Sequence, residues 1–296
     1  MTEPRSFIHI HESELRELRY TFYLVRKSPL TLVGLILLVF SLFFAITAPY
    51  VAPYPTDIEF GVHLERRLEA PSLTHPFGTD DLGRDILSRV LYGFRISLTV
   101  GLVVVAIAAT IGVFLGAMAG YAGGVVDEAI MRITDIFLSV PSLVLALAIA
   151  ASLGPSLTNA MIAISLVWWP WYARLVRGQT LSLRELDFVE AARSIGVSTY
   201  KILLRHIIPN CIAPIIVQGS LDVGYAILTA ASLGFLGVGA QPPAAEWGLM
   251  VSYGRLFFPS WWWVATFPGL AIFIGVLGFN LLGDGLRDIL DPRLRR

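Results

Sequence analysis

The sequence predicts an all-α integral membrane protein with six transmembrane helices, both termini cytoplasmic, and a helix-turn-helix loop on the cytoplasmic face. Three observations carry that expectation. The 296 residues are 55% hydrophobic and only 15% charged, with a mean hydropathy of +0.70, far from the balance of a soluble domain. Apolar runs reach about 20 residues, the length that crosses a hydrocarbon core and that a soluble fold does not need. Basic residues gather in alternate connecting segments.

Residues 1–29 are polar and mixed in charge and form a cytoplasmic N-terminal segment. Its His9, His11 and Glu12 lack further ligands nearby and are expected to be solvated rather than metal-binding. Residues 30–50 form the first span, an uncleaved anchor, because the polar stretch before it is too long for a signal peptide. Residues 51–95 form an extracytoplasmic loop, punctuated by Pro53, Pro55, Pro71 and Pro76. Within it Leu82, Ile86, Val90 and Phe94, with Leu87 and Leu91, make an apolar stripe opposite Arg84, Asp85, Ser88 and Arg89. That pattern predicts an amphipathic helix lying on the membrane surface. Asp80, Asp81 and Asp85 lack calcium-loop spacing and are expected to cap and be solvated.

Residues 96–290 hold five further spans. The second, 97–120, carries Ala108, Gly112, Gly116 and Gly120 at every fourth position, a small-residue face for close helix packing in lipid. After a polar turn at 121–135 the third covers 136–153, with Pro141 near its start. The fourth, 161–176, ends in Trp168, Trp169, Trp171 and Tyr172 at interfacial-belt level, with Arg174 and Arg177 snorkelling outward. The fifth, 212–239, is interrupted only by Asp222, which should face a pore or a polar partner rather than lipid. A loop at 240–260 containing Pro242, Pro243 and Trp247 leads to the sixth, 261–282, and a cytoplasmic tail at 291–296. With the N-terminus inside, inner segments hold 16 Lys and Arg against 6 outside, so both termini and residues 182–210 face the cytoplasm.

Residues 182–210 lie between two long apolar segments and carry Arg184, Arg193, Lys201 and Arg205. Ser182 and Glu185 read as a capping box opening a helix through Glu190, Ala191 and Ala192. Gly196 suits the left-handed position ending that helix, with Val197 folding back as its hydrophobic contact. Ser198 can cap a second helix, which Pro209 ends or kinks. Ala191 and Ala192 would give a small surface that another protein can approach closely.

This stretch resembles the EAA loop of permease subunits of ABC importers, matched by Glu190-Ala191-Ala192, Gly196, Ile208 and Pro209. His206 stands where the general pattern has Ile, and the run Arg205 to Asn210 is similar to the branch importing dipeptides, oligopeptides and nickel. HPFGTDDLGRDILSRVLYGFRISL, SLGFLGVGAQPPAAEWGLM and FNLLGDGLRDILDPRLR fit that branch too. The resemblance spans roughly residues 26–295 and is nearest the C-type permease.

The resemblance implies a non-catalytic subunit of the prokaryotic cytoplasmic (inner) membrane, forming half of a pathway for peptides. Implied partners are a homologous B-type permease, two cytoplasmic ATPases that bind the ATP, an extracytoplasmic substrate-binding protein and the lipid bilayer. Glu190, Ala191, Ala192, Gly196 and Pro209 would couple to an ATPase, and Asp222 is a candidate for the pathway. Nickel or oligosaccharides are alternative cargoes, and a secondary transporter or channel is the rival class. The residues themselves show no phosphate-binding glycine loop before Lys27 or Lys201, no zinc-protease motif and no nucleophile triad, so no cofactor and no chemistry of its own are expected. Zero net charge gives no footprint for nucleic acid, and Cys211 is expected to be an inert core residue.

Overall fold

The structure is a computed structural model that describes residues 26–290. The tails, with His9, His11, Glu12 and the segment 291–296, lie outside the described residues. Helix α1 (Pro29–Val51) begins where its sequence dictates: the Ser28 hydroxyl accepts from Thr31 N, and Pro29 fills a position whose N–H would have no helical partner. Helix α2 (Ile86–Ala122) runs for 37 residues, capped by Asp85, whose carboxylate accepts from Ser88 N at 2.7 Å. Helices α3 (Gly124–Ser139) and α4 (Ser142–Leu153) follow, then α5 (Leu157–Leu183). Short α6 (Asp187–Ser194) and α7 (Thr199–Ile202) lead into α8 (Ile212–Phe235). Helices α9 (Trp247–Gly254) and α10 (Trp263–Leu290) are the last of the described residues. Among the described residues no β-strand forms, only an isolated bridge between Thr79 and Asp85.

Among the described residues four helical runs are long and apolar enough to cross a membrane: α1, α2, the composite Thr199–Phe235, and α10. The pair α3–α4 makes a fifth if counted together, but its halves meet at 91°, so the expected third span is broken. Pro141 stands at that break and cannot supply the N–H that would carry the helix through. The polar turn expected at 121–135 is helical instead, most of it inside α3. Helix α5 outruns the expected fourth span at both ends, and its Trp168–Tyr172 stretch, Arg174 and Arg177 dilute its apolar character. Arg174 and Arg177 do not simply reach outward. They pair with Asp135 (2.6 Å) and, through both nitrogens, with Asp127 of α3 (2.5 and 2.6 Å).

Helix α2 is the centre of the bundle and packs on α1, α5 and α8. The small-residue stripe does what its spacing predicts. A Cβ on Gly112 would lie 2.4 Å from Trp169 O, and one on Gly116 2.3 Å from Ala173 O, so α5 backbone rests directly on α2. Trp247 of α9, unassigned by its sequence, stands against Gly93 and donates from Nε1 to Val90 O at 3.0 Å.

The stretch 82–94 corrects the sequence reading. Helix α2 passes unbroken through the boundary expected at 95–96, and the side taken as solvated is buried, with Asp85 and Ser88 wholly enclosed. These groups leave water because each finds a partner. Asp57 Oδ2 accepts from Asp85 N (3.0 Å), His75 Nδ1 meets Asp85 Oδ1 (2.9 Å), and Asp80 holds Arg84 Nε (2.7 Å). Arg89, 3% exposed, spreads its fork over the carbonyls of Ile58 (2.7 Å), Pro243 and Ala244. One guanidinium thereby ties the loop after α1 to the loop before α9, forming a polar cap on the N-terminal end of α2.

Gly116→Val is expected to lower stability by about 2 kcal/mol through overpacking against the α5 backbone. Gly178→Ala, where a Cβ meets nothing within 4 Å, should be neutral. Thermal unfolding of the purified protein in detergent checks the pair, and equal midpoints would show that α2 and α5 do not depend on close approach.

Candidate functional site

Residues 187–211 form a helix-turn-helix that stands out from the bundle while rooted in it. The first helix does not open on Ser182 and Glu185. Helix α5 continues through Leu183 and takes Ser182 into its last turn, and α6 starts at Asp187 with Leu186 in the capping position and no side-chain cap. The turn between α6 and α7 is built as the sequence predicts. Gly196 has φ +77°, Gly196 N donates to Arg193 O (3.0 Å) and Val197 N to Ala192 O (3.1 Å). This is the paired bonding of a Schellman motif, and Val197 packs back onto the cluster beneath. Ser198 occupies the N-cap of α7 with extended backbone, but its side chain makes no capping bond.

One face of the motif points inward. Val189, Ala192, Ile202, Leu203, Ile207 and Cys211 pack with Ala117 of α2 and Val176 of α5. Cys211 is a buried free thiol in that cluster, as a small apolar residue would be. Arg184 donates to Gly120 O at 2.8 Å, and the Arg193 guanidinium lies 5.4 Å from the Tyr121 ring centroid. The opposite face is exposed: Glu190, Ala191 and Gly196, flanked by the large apolar side chains of Leu186, Phe188, Ile195 and Tyr200. Of the predicted alanine pair only Ala191 is on this surface, because consecutive helix positions point about 100° apart and Ala192 turns to the core.

Pro209 kinks the chain rather than ending it. Ile208 N bonds Leu203 O across a π-turn, and a 3-10 turn over Ile208–Cys211 joins directly to α8. Proline removes the next N–H, and Asn210 Nδ2 takes up His206 O at 2.6 Å. The five loop residues therefore group as Glu190, Ala191 and Gly196 on the outer face, Ala192 beneath and Pro209 at the hinge with α8. Asp222 is not among them. It lies inside the bundle on α8, where it accepts from Gln218 Nε2 at 2.9 Å. The Tyr172 hydroxyl of α5, buried and without a hydrogen bond among the described residues, is close to its carboxylate. Sequence reasoning saw Asp222 but missed Tyr172, whose place in an aromatic run hid it. It also missed Arg89 and the burial of the polar cap, although Asp85, read as a capping residue, does cap α2.

A bundle of long apolar helices with one outward helix-turn-helix, rooted on the two helices that flank it, defines the class: a transmembrane subunit whose exposed loop is rigidly joined to its core. The particular family follows from comparison. Residues 112–296 match the model for binding-protein-dependent transport system inner membrane components, and residues 18–71 match the N-terminal TM domain of oligopeptide transport permease C. The chain belongs to the family of binding-protein-dependent transport system inner membrane components, and so is a non-catalytic membrane subunit of an ABC importer. It is 50% identical over 92% of its length to a probable D,D-dipeptide transport system permease protein, DdpC, of Escherichia coli (strain K12), covering 90% of that relative. It is 49% identical over 94% of its length to a dipeptide transport system permease protein, DppC, of Alkalihalophilus pseudofirmus, again covering 90%. Identity to a glutathione transport system permease protein, GsiD, of Pectobacterium atrosepticum is 48%, over 85% of this chain and 83% of the relative. The fold is similar to a chain of the MetNI methionine ABC transporter solved in inward-facing conformations, with TM-score 0.55 and 18% identity, covering 69% of this chain and 97% of that one.

Asp222→Asn keeps an acceptor for Gln218 and is expected to leave the unfolding midpoint nearly unchanged. Asp222→Leu orphans Gln218 Nε2 and should cost about 1–3 kcal/mol. Identical midpoints for the two variants would remove the Gln218–Asp222 bond within α8 from the forces that stabilise the fold.

Proposed function

We propose that this chain is the C-type permease of an ATP-driven importer of peptides, forming half of a transmembrane pathway with a homologous B-type permease. In this reading it lies in the prokaryotic inner membrane with six crossings, α5 and the bent α3–α4 pair included. Its termini and residues 182–210 face the cytoplasm. Two ATPases bind and hydrolyse the ATP, and an extracytoplasmic binding protein delivers the peptide. The relatives named as dipeptide permeases, similar over nearly the whole chain, support the cargo. Nickel and oligosaccharides remain the rival cargoes of the resemblance, and none of these relatives' names supports either.

The single observation that carries the mechanism is the double attachment of the exposed loop. Its outer face of Glu190, Ala191 and Gly196 is free, its inner face is packed on α2 and α5, and its second helix continues into α8. A docked ATPase would bury the Leu186, Phe188 and Ile195 side chains, so closure of the ATPases moves the loop as a body. Motion passes through the Pro209 irregularity into α8 and from there to Asp222, which we place on or beside the pathway. Moving populations from 1:99 to 99:1 requires about 5.5 kcal/mol of differential binding between the two states.

Gly196 isolates the loop experimentally. A Cβ there meets nothing within 4 Å, so Gly196→Val adds no clash, only the strain of a β-branched residue at φ +77°, roughly 1–2 kcal/mol. Membrane insertion is expected to persist while peptide uptake and binding-protein stimulation of ATP hydrolysis fall together. Normal uptake with normal stimulation would remove the coupling role. Orientation has its own test: on intact cells an impermeant thiol reagent should label Leu73→Cys and spare Lys201→Cys. The opposite pattern would invert the topology.

A further inference from the structure

Helix α1 shows the surface that lipid selects: every exposed residue from Leu30 to Ile46 is apolar. Helix α3 does not. Glu128, Arg132, Asp135 and Ser139 are all exposed and recur at intervals of four, three and four, one polar stripe along the helix. Glu128 pairs with Arg132 at 3.3 Å, and Asp135 with the exposed Arg174 of α5 at 2.6 Å, so acids and bases balance along the stripe. The stripe runs into the 91° break, beyond which Ser142 is exposed as well. Pro141 precedes α4 and no side chain caps that helix, so the N–H groups of its first turn have no partner among the described residues.

Depth decides what these groups can face. The break lies against Val167 and Trp171 of α5, around a cleft of about 360 Å³. At about 1.5 Å per residue those two stand about 24 and 18 Å from the Leu183 end of a helix about 40 Å long. Phe137 is held at the same level, its ring centroid 5.7 Å from that of Trp169. A helix lying among the headgroups would not reach so far along α5. Within the hydrocarbon, charged side chains and unpaired amides persist only against protein or water.

We propose that the stripe from Glu128 to Ser139 and the break at Pro141 form this chain's wall of a water-filled passage, open toward the side of residues 182–210. The direction follows from the start of α3, which leaves the end of α2 where Arg184 donates to Gly120 O at 2.8 Å, beside the outward loop. Water satisfies the free amides. Paired charges make the wall polar without favouring either sign, which suits a hydrated zwitterion. The passage rests on the crossings by α5 and the bent α3–α4 pair proposed above, and a peptide as its cargo rests on the importer reading.

Single cysteines test the wall in a Cys211→Ala background, with the assembled complex in lipid nanodiscs and a charged thiol reagent. Leu73→Cys is the aqueous reference and Val39→Cys, midway along α1, the lipid reference. Arg132→Cys, Ser139→Cys and Ser142→Cys are expected to react at about the rate of Leu73→Cys. Val39→Cys should react at least about tenfold more slowly, because the attacking thiolate is disfavoured in apolar surroundings. Serine-to-cysteine exchange changes one atom, so those two positions carry the result if Arg132→Cys fails to fold. Rates at both serines as slow as at Val39 overturn the passage, whether lipid or a dry subunit contact covers them. A fluorophore on Ser142→Cys should be quenched more by phospholipids spin-labelled at mid-chain than at the headgroup, and the reverse order, placing the break at the membrane surface, also overturns it. If the serines react at mid-depth but the complex takes up no peptide, the importer reading falls and the passage remains. If uptake proceeds with both serines shielded, the importer reading stands and this wall falls.

Discussion

Everything else in this fold hangs on the contact between the α2 and α5 backbones. Carbonyl oxygens of Trp169 and Ala173 occupy the space that side chains at Gly112 and Gly116 would need. In lipid there is no hydrophobic gain from pressing two apolar helices together, so association depends on dispersion at short range and on bonds the lipid cannot supply. Small residues at every fourth position provide the first. The second comes at the two edges of the interface, where Ser165 Oγ reaches Val104 O and Arg184 reaches Gly120 O. Because this seam fixes where α5 ends, it also fixes where the outward loop begins.

The loop is stiff for a reason that differs at its two ends. At Arg184 the chain leaves α5 through a side-chain clamp on the last turns of α2, and the inner face of α6 is glued by Val189 and Ala192. At the other end no true loop exists: α7 passes into α8 through a π-turn and a 3-10 turn whose backbone groups stay largely bonded. Proline there disturbs the helix without uncoupling it. Mobility is thus directed to rigid movement of the whole element rather than to flexing within it.

Much of this was written legibly in the residues. The small-residue stripe of α2, the turn at Gly196 and the kink at Pro209 all follow from local rules, since glycine spacing, left-handed φ and a missing N–H act on the nearest few residues. What failed did so where a distant partner decided the outcome. Asp85, Ser88 and Arg89 read as a wet helix face because Asp57 and the carbonyls of Ile58 and Pro243, which bury them, are far away in sequence. Arg174 and Arg177 read as anchors because Asp135 and Asp127 lie on another helix. Ser182 read as a cap because nothing local says that α5 persists to Leu183. The bend in the third span was hidden in the same way: Pro141 was visible, but nothing local told that α3 and α4 meet at 91°.

The length of α2 has a consequence of its own. Its 37 residues extend about 55 Å, against a hydrocarbon layer of about 30 Å, so nearly half of an upright α2 must stand clear of the lipid tails. The portion with buried polar side chains, from Ile86 to about Phe94, is one part that can do so. Helix α2 therefore acts as a mast, lifting a platform of cross-tied loops away from the bilayer while its foot stays clamped beside Arg184. A ligand landing on that platform would meet an aqueous, charge-bearing surface before any lipid-embedded one, and a load on it would be felt along one uninterrupted rod.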